Sequence, residues 1–232
     1  MIRLRAANER GHFQNAWLDS YHSFSFGEYY DPAHMGVSTL RVINEDRVTP
    51  GAGFPTHGHR DMEIISYVLE GELSHKDSMG NGSVIRPGDV QRMSAGTGVS
   101  HSEFNPSKQE GTRFLQIWLL PAQRGIAPGY AQKHFTEAER AGRLKLLVSP
   151  DGRDDSISAN TDALMYGAIL RGQSISMPIN EGRTVYVHLA RGEAVINGIA
   201  MTGGDALTLK FETEADIQAD ELAEVLLFDL PA

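Results

Sequence analysis

Short apolar runs, broken repeatedly by Gly, Pro, Asn or Asp, make up most of this chain. Val37–Ile43, Met62–Leu69, Arg113–Leu120, Arg143–Ser149, Thr184–Ala190 and Glu224–Leu230 are rich in β-branched or aromatic residues and too short for buried helices. They predict strands. Helical patterning is scarce; Thr136-Glu137-Ala138-Glu139-Arg140 predicts a turn or two behind a Thr cap. Many short strands at hairpin spacing, with 24 glycines, point to an all-β architecture of sandwiches or small barrels.

The pattern repeats. Tyr67-Val68-Leu69-Glu70-Gly71-Glu72-Leu73 is followed by a turn at Gly80-Asn81-Gly82 and then by Pro87-Gly88-Asp89-Val90. Val187-His188-Leu189-Ala190-Arg191-Gly192-Glu193-Ala194 is followed by Asn197-Gly198 and then Gly203-Gly204-Asp205-Ala206. Both read strand, Gly, strand, tight turn, strand, Gly-Asp, strand, so two copies of one β unit are expected. The stretch Pro121–Pro128 is the expected linker, which gives domains at 1–122 and 123–232.

Composition removes several function classes. There is no cysteine, which excludes disulfides, iron–sulfur clusters and thiol catalysis, so any transition metal must be held by imidazole and carboxylate. The net charge is -9, spread along the chain without a Lys/Arg cluster, which argues against direct nucleic-acid binding. No run approaches the roughly 18 apolar residues of a membrane span. The N-terminal residues Met1–Arg10 lack the apolar core of a secretory signal, so the expected location is the cytoplasm.

Against this background one constellation carries chemistry. In His57-Gly58-His59 the imidazoles stand two residues apart, on one face of a strand, and His101-Ser102-Glu103 repeats the arrangement. If the two strands are neighbours, three nitrogens and one carboxylate converge. Four protein ligands on an ion preferring six leave two positions open for water, substrate or dioxygen. Glu63 also has the parity to join, since His57, His59, Asp61 and Glu63 would share a face on one straight strand.

The flanking residues sharpen the pattern. Gly51, His57-X-His59, Glu63 and Gly71 resemble the first cupin motif, with one extra residue between Glu63 and Gly71. Gly98, His101 and Asn105 resemble the second, with Gly96 in place of its usual proline. Four stretches resemble the pirin family more narrowly: His22–Phe26, Leu40–Asn44, Gly53–His59 and Ser94–Glu103. The resemblance implies a bicupin: two cupin (jelly-roll-like) β-barrels packed face to face, with few short helices. It implies a metal in the first barrel, iron(II) foremost and Ni, Cu, Mn, Zn or Co as alternatives. The implied ligands are His57, His59, His101 and Glu103, with Glu103 also serving as catalytic base. Glu63 is then a neighbour orienting an imidazole, and Asn105, Gln116 and Trp118 are expected around the site. For Gln116 and Trp118, plain core packing competes with pocket lining.

Some bacterial pirins cleave quercetin with dioxygen, which implies a flavonol-like substrate, O2, and a depside product with loss of carbon monoxide. Animal relatives are linked to transcriptional co-regulation. That gives the alternative of a redox-responsive iron protein acting on a protein partner without catalysis. Sliding the motif onto the second repeat puts Pro178, Asn180, Ile217 and Ala219 at the ligand positions, so the second barrel is expected to hold no metal. His12, His22, His34, His134 and His188 read as surface or packing residues, and His75-X-Asp77 as solvated beside a hairpin turn. Phe24 and Phe26 shield the site mouth or simply pack.

Overall fold

Residues 2–134 lay down twelve strands: β1 (Ile2–Arg5), β2 (Gly11–Gln14), β3 (Leu18–His22), β4 (Leu40–Val48), β5 (Gly53–His59), β6 (Glu63–Glu70), β7 (Leu73–Asp77), β8 (Gly82–Ile85), β9 (Asp89–Ser94), β10 (Val99–Phe104), β11 (Thr112–Leu119) and β12 (Gly129–His134). One helical turn, α1 (Glu137–Arg140), follows, closed by a Thr136–Glu139 capping box. The rest is β13 (Lys145–Ser149), β14 (Ile157–Ser158), β15 (Leu164–Pro178), β16 (Arg183–Ile196), β17 (Ile199–Thr202), β18 (Ala206–Lys210) and β19 (Glu214–Pro231). This computed structural model describes all 232 residues. No helix is long and apolar enough to cross a membrane.

The first barrel sets a seven-stranded sheet, ordered β12-β9-β6-β11-β4-β3-β2, against a four-stranded sheet, β5-β10-β7-β8. The second is built on the long strands β15, β16 and β19, flanked by β18 and β13. Long strands bend where their registers shift: between Arg171 and Gln173, and on either side of Gly192. Gly192, the echo of Gly71, has φ +85°, and a Cβ there would lie 1.8 Å from the Leu222 carbonyl oxygen. Only glycine fits that close crossing.

Strands β4, β6 and β11 are buried on both faces. Leu115, Ile117 and Leu119 of β11, with Ile65, Tyr67 and Leu69 of β6, join Tyr186, Leu226 and Phe228 of the second half in the largest hydrophobic cluster. That cluster is the seam between the barrels. A buried polar knot crosses it, where Arg140 and Arg191 donate to Glu224 at 3.1 and 2.6 Å and Tyr67 donates to the same carboxylate. The alternate residues face into the first barrel. Its interior is apolar at the two ends, around Phe114, Val68 and Leu73 and around Ile64, Met93 and Val99.

Between those ends runs a polar row. Strand register sets His22 opposite Asn44, Asn44 opposite Gln116, Gln116 opposite Ser66, and Ser66 opposite Gln91. This row explains why β4 extends to Val48 and does not stop at Ile43: Asn44-Glu45-Asp46 resembles a loop in composition but lies in buried strand. The strand also starts later than Val37, because Ser38 adopts φ +51° in a tight turn before Leu40.

The halves exchange edges. β1 pairs with β18 of the second barrel, and β12, beyond the linker, pairs with β9 of the first. The second barrel's own interior is aliphatic, with Ile217 and Ala219 buried among Leu170, Val187 and Met201.

Candidate metal centre

β5 and β10 are antiparallel neighbours, and His57 lies directly across from His101. A register shift follows, so that Glu103 faces Phe54, and His57 and His59 of β5 gather with His101 and Glu103 of β10. His59 Nε2 lies 3.0 Å from His101 Nε2, which in turn lies 3.1 Å from His57 Nε2. His57 Nδ1 sits 2.8 Å from the Pro55 carbonyl, which only accepts, so its proton is on Nδ1 and Nε2 offers a lone pair. Burial, then the His101 and His57 rings, pushes His59 down to about 4; burial, then His57 and His75, pushes His101 down to about 3. At neutral pH the His59 and His101 rings are uncharged, the form that binds metals.

Such a convergence of nitrogens fits a cation. With metal–nitrogen bonds of roughly 2.1 Å, right-angled nitrogens lie about 3.0 Å apart and tetrahedral ones about 3.4 Å. The observed separations match the right-angled set, which leaves room for more ligands. Glu103 lies beside them, its Oε2 3.9 Å from His101 Nε2. Its carboxylate is held from behind: Gln116 Nε2 donates to both oxygens at 3.0 and 2.9 Å, and Ser66 Oγ donates to Oε1 at 3.1 Å.

His57, His59 and Glu103 form one wall of a cavity of about 700 Å³. Gln116 and Trp118 line it, so of the two readings of β11 the inward-facing residues are pocket wall. Trp118 stands edge-on to His59, with ring centres 5.0 Å apart, and to Phe26 at 5.3 Å. Phe24 is elsewhere, packed on Tyr186 in the seam between barrels.

Several residues are placed differently from the sequence expectation. Glu63 does not approach an imidazole: Asp61, at φ +48°, turns the chain between β5 and β6 into different sheets, and Glu63 accepts from Ser94 Oγ at 2.8 Å. Asn105 ties the Val48 and Glu110 carbonyls together and bounds no part of the cavity. His75 and Asp77 are buried and not solvated; His75 lies against His101. His12 and His22 line the cavity, while His34 and His134 pair with Asp31 and Asp89, and His188 is fully buried.

The sequence reading missed Ser20, Asn44 and Asp46. Ser20 bridges Asp46 and His22, donating to the carboxyl and lying 2.9 Å from the ring Nε2. Burial, with Glu103 and Glu45 adding to it and the Ser20 hydrogen bond opposing, pushes Asp46 up to about 7. Asn44 Oδ1 is buried without a hydrogen-bond partner. The available signal was Ser20-X-His22 and Asn44-X-Asp46, polar pairs at strand spacing in apolar surroundings.

Two cupin barrels, the first with imidazoles and a carboxylate converging on a cavity, define a bicupin. The pirin sequence profile matches residues 3–119, and that of the quercetinase C-terminal cupin domain matches residues 146–230. A quercetin 2,3-dioxygenase of Escherichia coli (strain K12) is 47% identical over 232 residues, covering 100% of this chain and 99% of that one. A pirin-like protein of Caulobacter vibrioides is 39% identical over 231 residues, 99% of each chain. The crystal structure of YhhW from Escherichia coli superimposes with a TM-score of 0.96 at 46% identity, covering 100% of this chain and 98% of that one. The structure of bacterial pirin YhhW in complex with nickel(II) gives 0.95 at 46% identity, over 100% and 99% of the two chains. The chain belongs to the pirin family.

Proposed function

We propose that this protein is a metal-dependent dioxygenase that opens quercetin or a similar flavonol with O2, using iron(II) held by His57, His59, His101 and Glu103. The observation that carries the reading is the convergence of three imidazoles, with His101 Nε2 3.0 and 3.1 Å from the Nε2 atoms of His59 and His57, beside a cavity of about 700 Å³ that His57 and His59 line. That volume is within the range of roughly 300–1,000 Å³ typical of small-molecule sites. It favours a substrate-binding role over a redox sensor, which needs no such room. The relative named quercetin 2,3-dioxygenase and the nickel complex of YhhW support the same class of ligand and chemistry.

When bound, the metal supplies a Lewis-acidic meeting point for the substrate's oxygens and dioxygen. The chain's own groups do the rest. Glu103 accepts the proton of the flavonol 3-hydroxyl, while Gln116 and Ser66 keep its carboxylate aimed at the cavity. Trp118, Phe26 and Phe54 form apolar walls for flat aromatic rings. Asp46, Ser20 and Asn44 supply hydrogen-bonding groups for peripheral hydroxyls, with Asp46 able to hold or give up a proton near neutrality.

The test is anaerobic loading with iron(II), then O2 uptake with quercetin and without substrate. Uptake coupled to loss of flavonol absorbance, and absent in His101→Ala, is expected. A chain holding one metal ion yet leaving flavonols intact would overturn the proposal.

A further inference from the structure

Behind His101, on the side away from the cavity, lies a second titratable cluster that the reaction does not use. His75 and Asp77 stand two residues apart on β7, paired with β10, and both side chains are fully shielded from solvent. His75 Nδ1 lies 3.4 Å from His101 Nδ1, and His75 Nε2 lies 3.2 Å from Asp77 Oδ2. Tyr130 stacks on the His75 ring, centres 5.1 Å apart, and fixes its plane.

The proton positions along this chain follow from its end. Asp77 Oδ1 accepts from the backbone N–H groups of Met79 and Asn81 at 2.9 and 3.0 Å, and Oδ2 accepts from Asn81 Nδ2 at 2.9 Å. These groups only donate, so Asp77 is an acceptor at both oxygens. His75 presents Nε2–H to it, and the neutral His75 ring then offers Nδ1 as a lone pair. The facing His101 Nδ1 must carry a proton, and His101 Nε2 is therefore the bare nitrogen, the atom 3.0 to 3.1 Å from its partners on β5.

We infer that His75 and Asp77 are positioning residues: a buried carboxylate–imidazole relay that locks His101 in the one tautomer able to bind the metal and strengthens it as a donor. The inference rests on the reading of His101 as a ligand. His57 has only the Pro55 carbonyl behind it, a neutral acceptor, so His101 is the ligand that receives carboxylate support. Outer partners of this kind are worth about 10- to 100-fold in metal affinity.

Two measurements on the full chain test it. In the metal-free protein, nitrogen-15 NMR of labelled histidines should give His101 a protonated Nδ1 and a bare Nε2. A protonated Nε2 would overturn the relay. In nickel(II) titrations against a competing chelator, His75→Phe should lose roughly 10- to 100-fold in affinity. The ring keeps its stacking on Tyr130 but loses the acceptor. His75→Asn can place an amide oxygen where Nδ1 stood and should recover most of the loss. Equal affinity in all three proteins, or equal loss in both variants, would refute the inference. His101→Ala separates the two readings: full nickel retention there would sink the ligand assignment itself, whereas loss there with no effect of His75→Phe would sink the relay alone.

Discussion

Asp46 offers a direct physical test of the pocket. Its carboxyl is buried in the first barrel, with the Ser20 hydroxyl as donor, and burial pushes it from 3.8 up to about 7. The folded chain thus binds one more proton than the unfolded chain between those two values. Stability must fall as pH rises through that window and level off above it. At about 1.36 kcal/mol per pKa unit the whole window is on the order of 4 kcal/mol, of which about 3 kcal/mol falls between about pH 5 and about pH 8. Asp46→Asn removes the titration while keeping the shape. Any fixed cost of the amide is the same at both pH values and cancels in the comparison. Urea unfolding of both metal-free proteins at the two pH values is the assay. Relative to the unaltered protein, the Asn variant should gain about 3 kcal/mol on going to the higher pH. Parallel stability curves would refute the argument and show that the pocket is better hydrated around Asp46 than its burial implies.

Three further outcomes are expected. His57→Ala should abolish metal retention while Glu63→Gln, whose carboxyl bonds to Ser94 away from the imidazoles, should retain it; metal analysis after dialysis distinguishes them. Gln116→Leu removes the donor to both oxygens of Glu103 and should cost about 10- to 100-fold in metal affinity or turnover, with the fold intact by circular dichroism. Gly192→Ala forces a Cβ toward the Leu222 carbonyl at a left-handed position, so the melting temperature should drop by at least about 4 °C, corresponding to about 2 kcal/mol.

The strand segments, the repeat marked by Gly71 and Gly192, and the His57, His59, His101 and Glu103 spacing could all be read from the sequence, because each rests on local periodicity or on a motif. What escaped reading shares one cause. β4, β6 and β11 are buried on both faces, so alternation there does not distinguish apolar from solvent; it distinguishes the seam from the cavity. Gln116 and Trp118 could therefore be placed on a face but not assigned to a pocket. Asn44 and Asp46 were given no role, because polar side chains in a buried strand are rare unless they serve a site. Glu63 was misplaced for a different reason. Parity holds only along a straight strand, and one residue with positive φ, Asp61, ended the straight run. His75 and Asp77 looked solvated because they precede a glycine turn, yet the β10 strand lies across them.

The edge exchange between barrels also sets a timetable for synthesis. Ile2 pairs with Leu209 and Arg5 with Ala206. At about 5–20 residues per second, a ribosome needs roughly 10–40 s between releasing the first strand and releasing its partner. During the later part of that interval the metal-binding half is already translated, while the opening strand remains a loose ribbon beside it. The sheets of the first barrel have all their strands once β12 has emerged, whereas the second barrel must reach back for the first strand made to fill its edge beside β18.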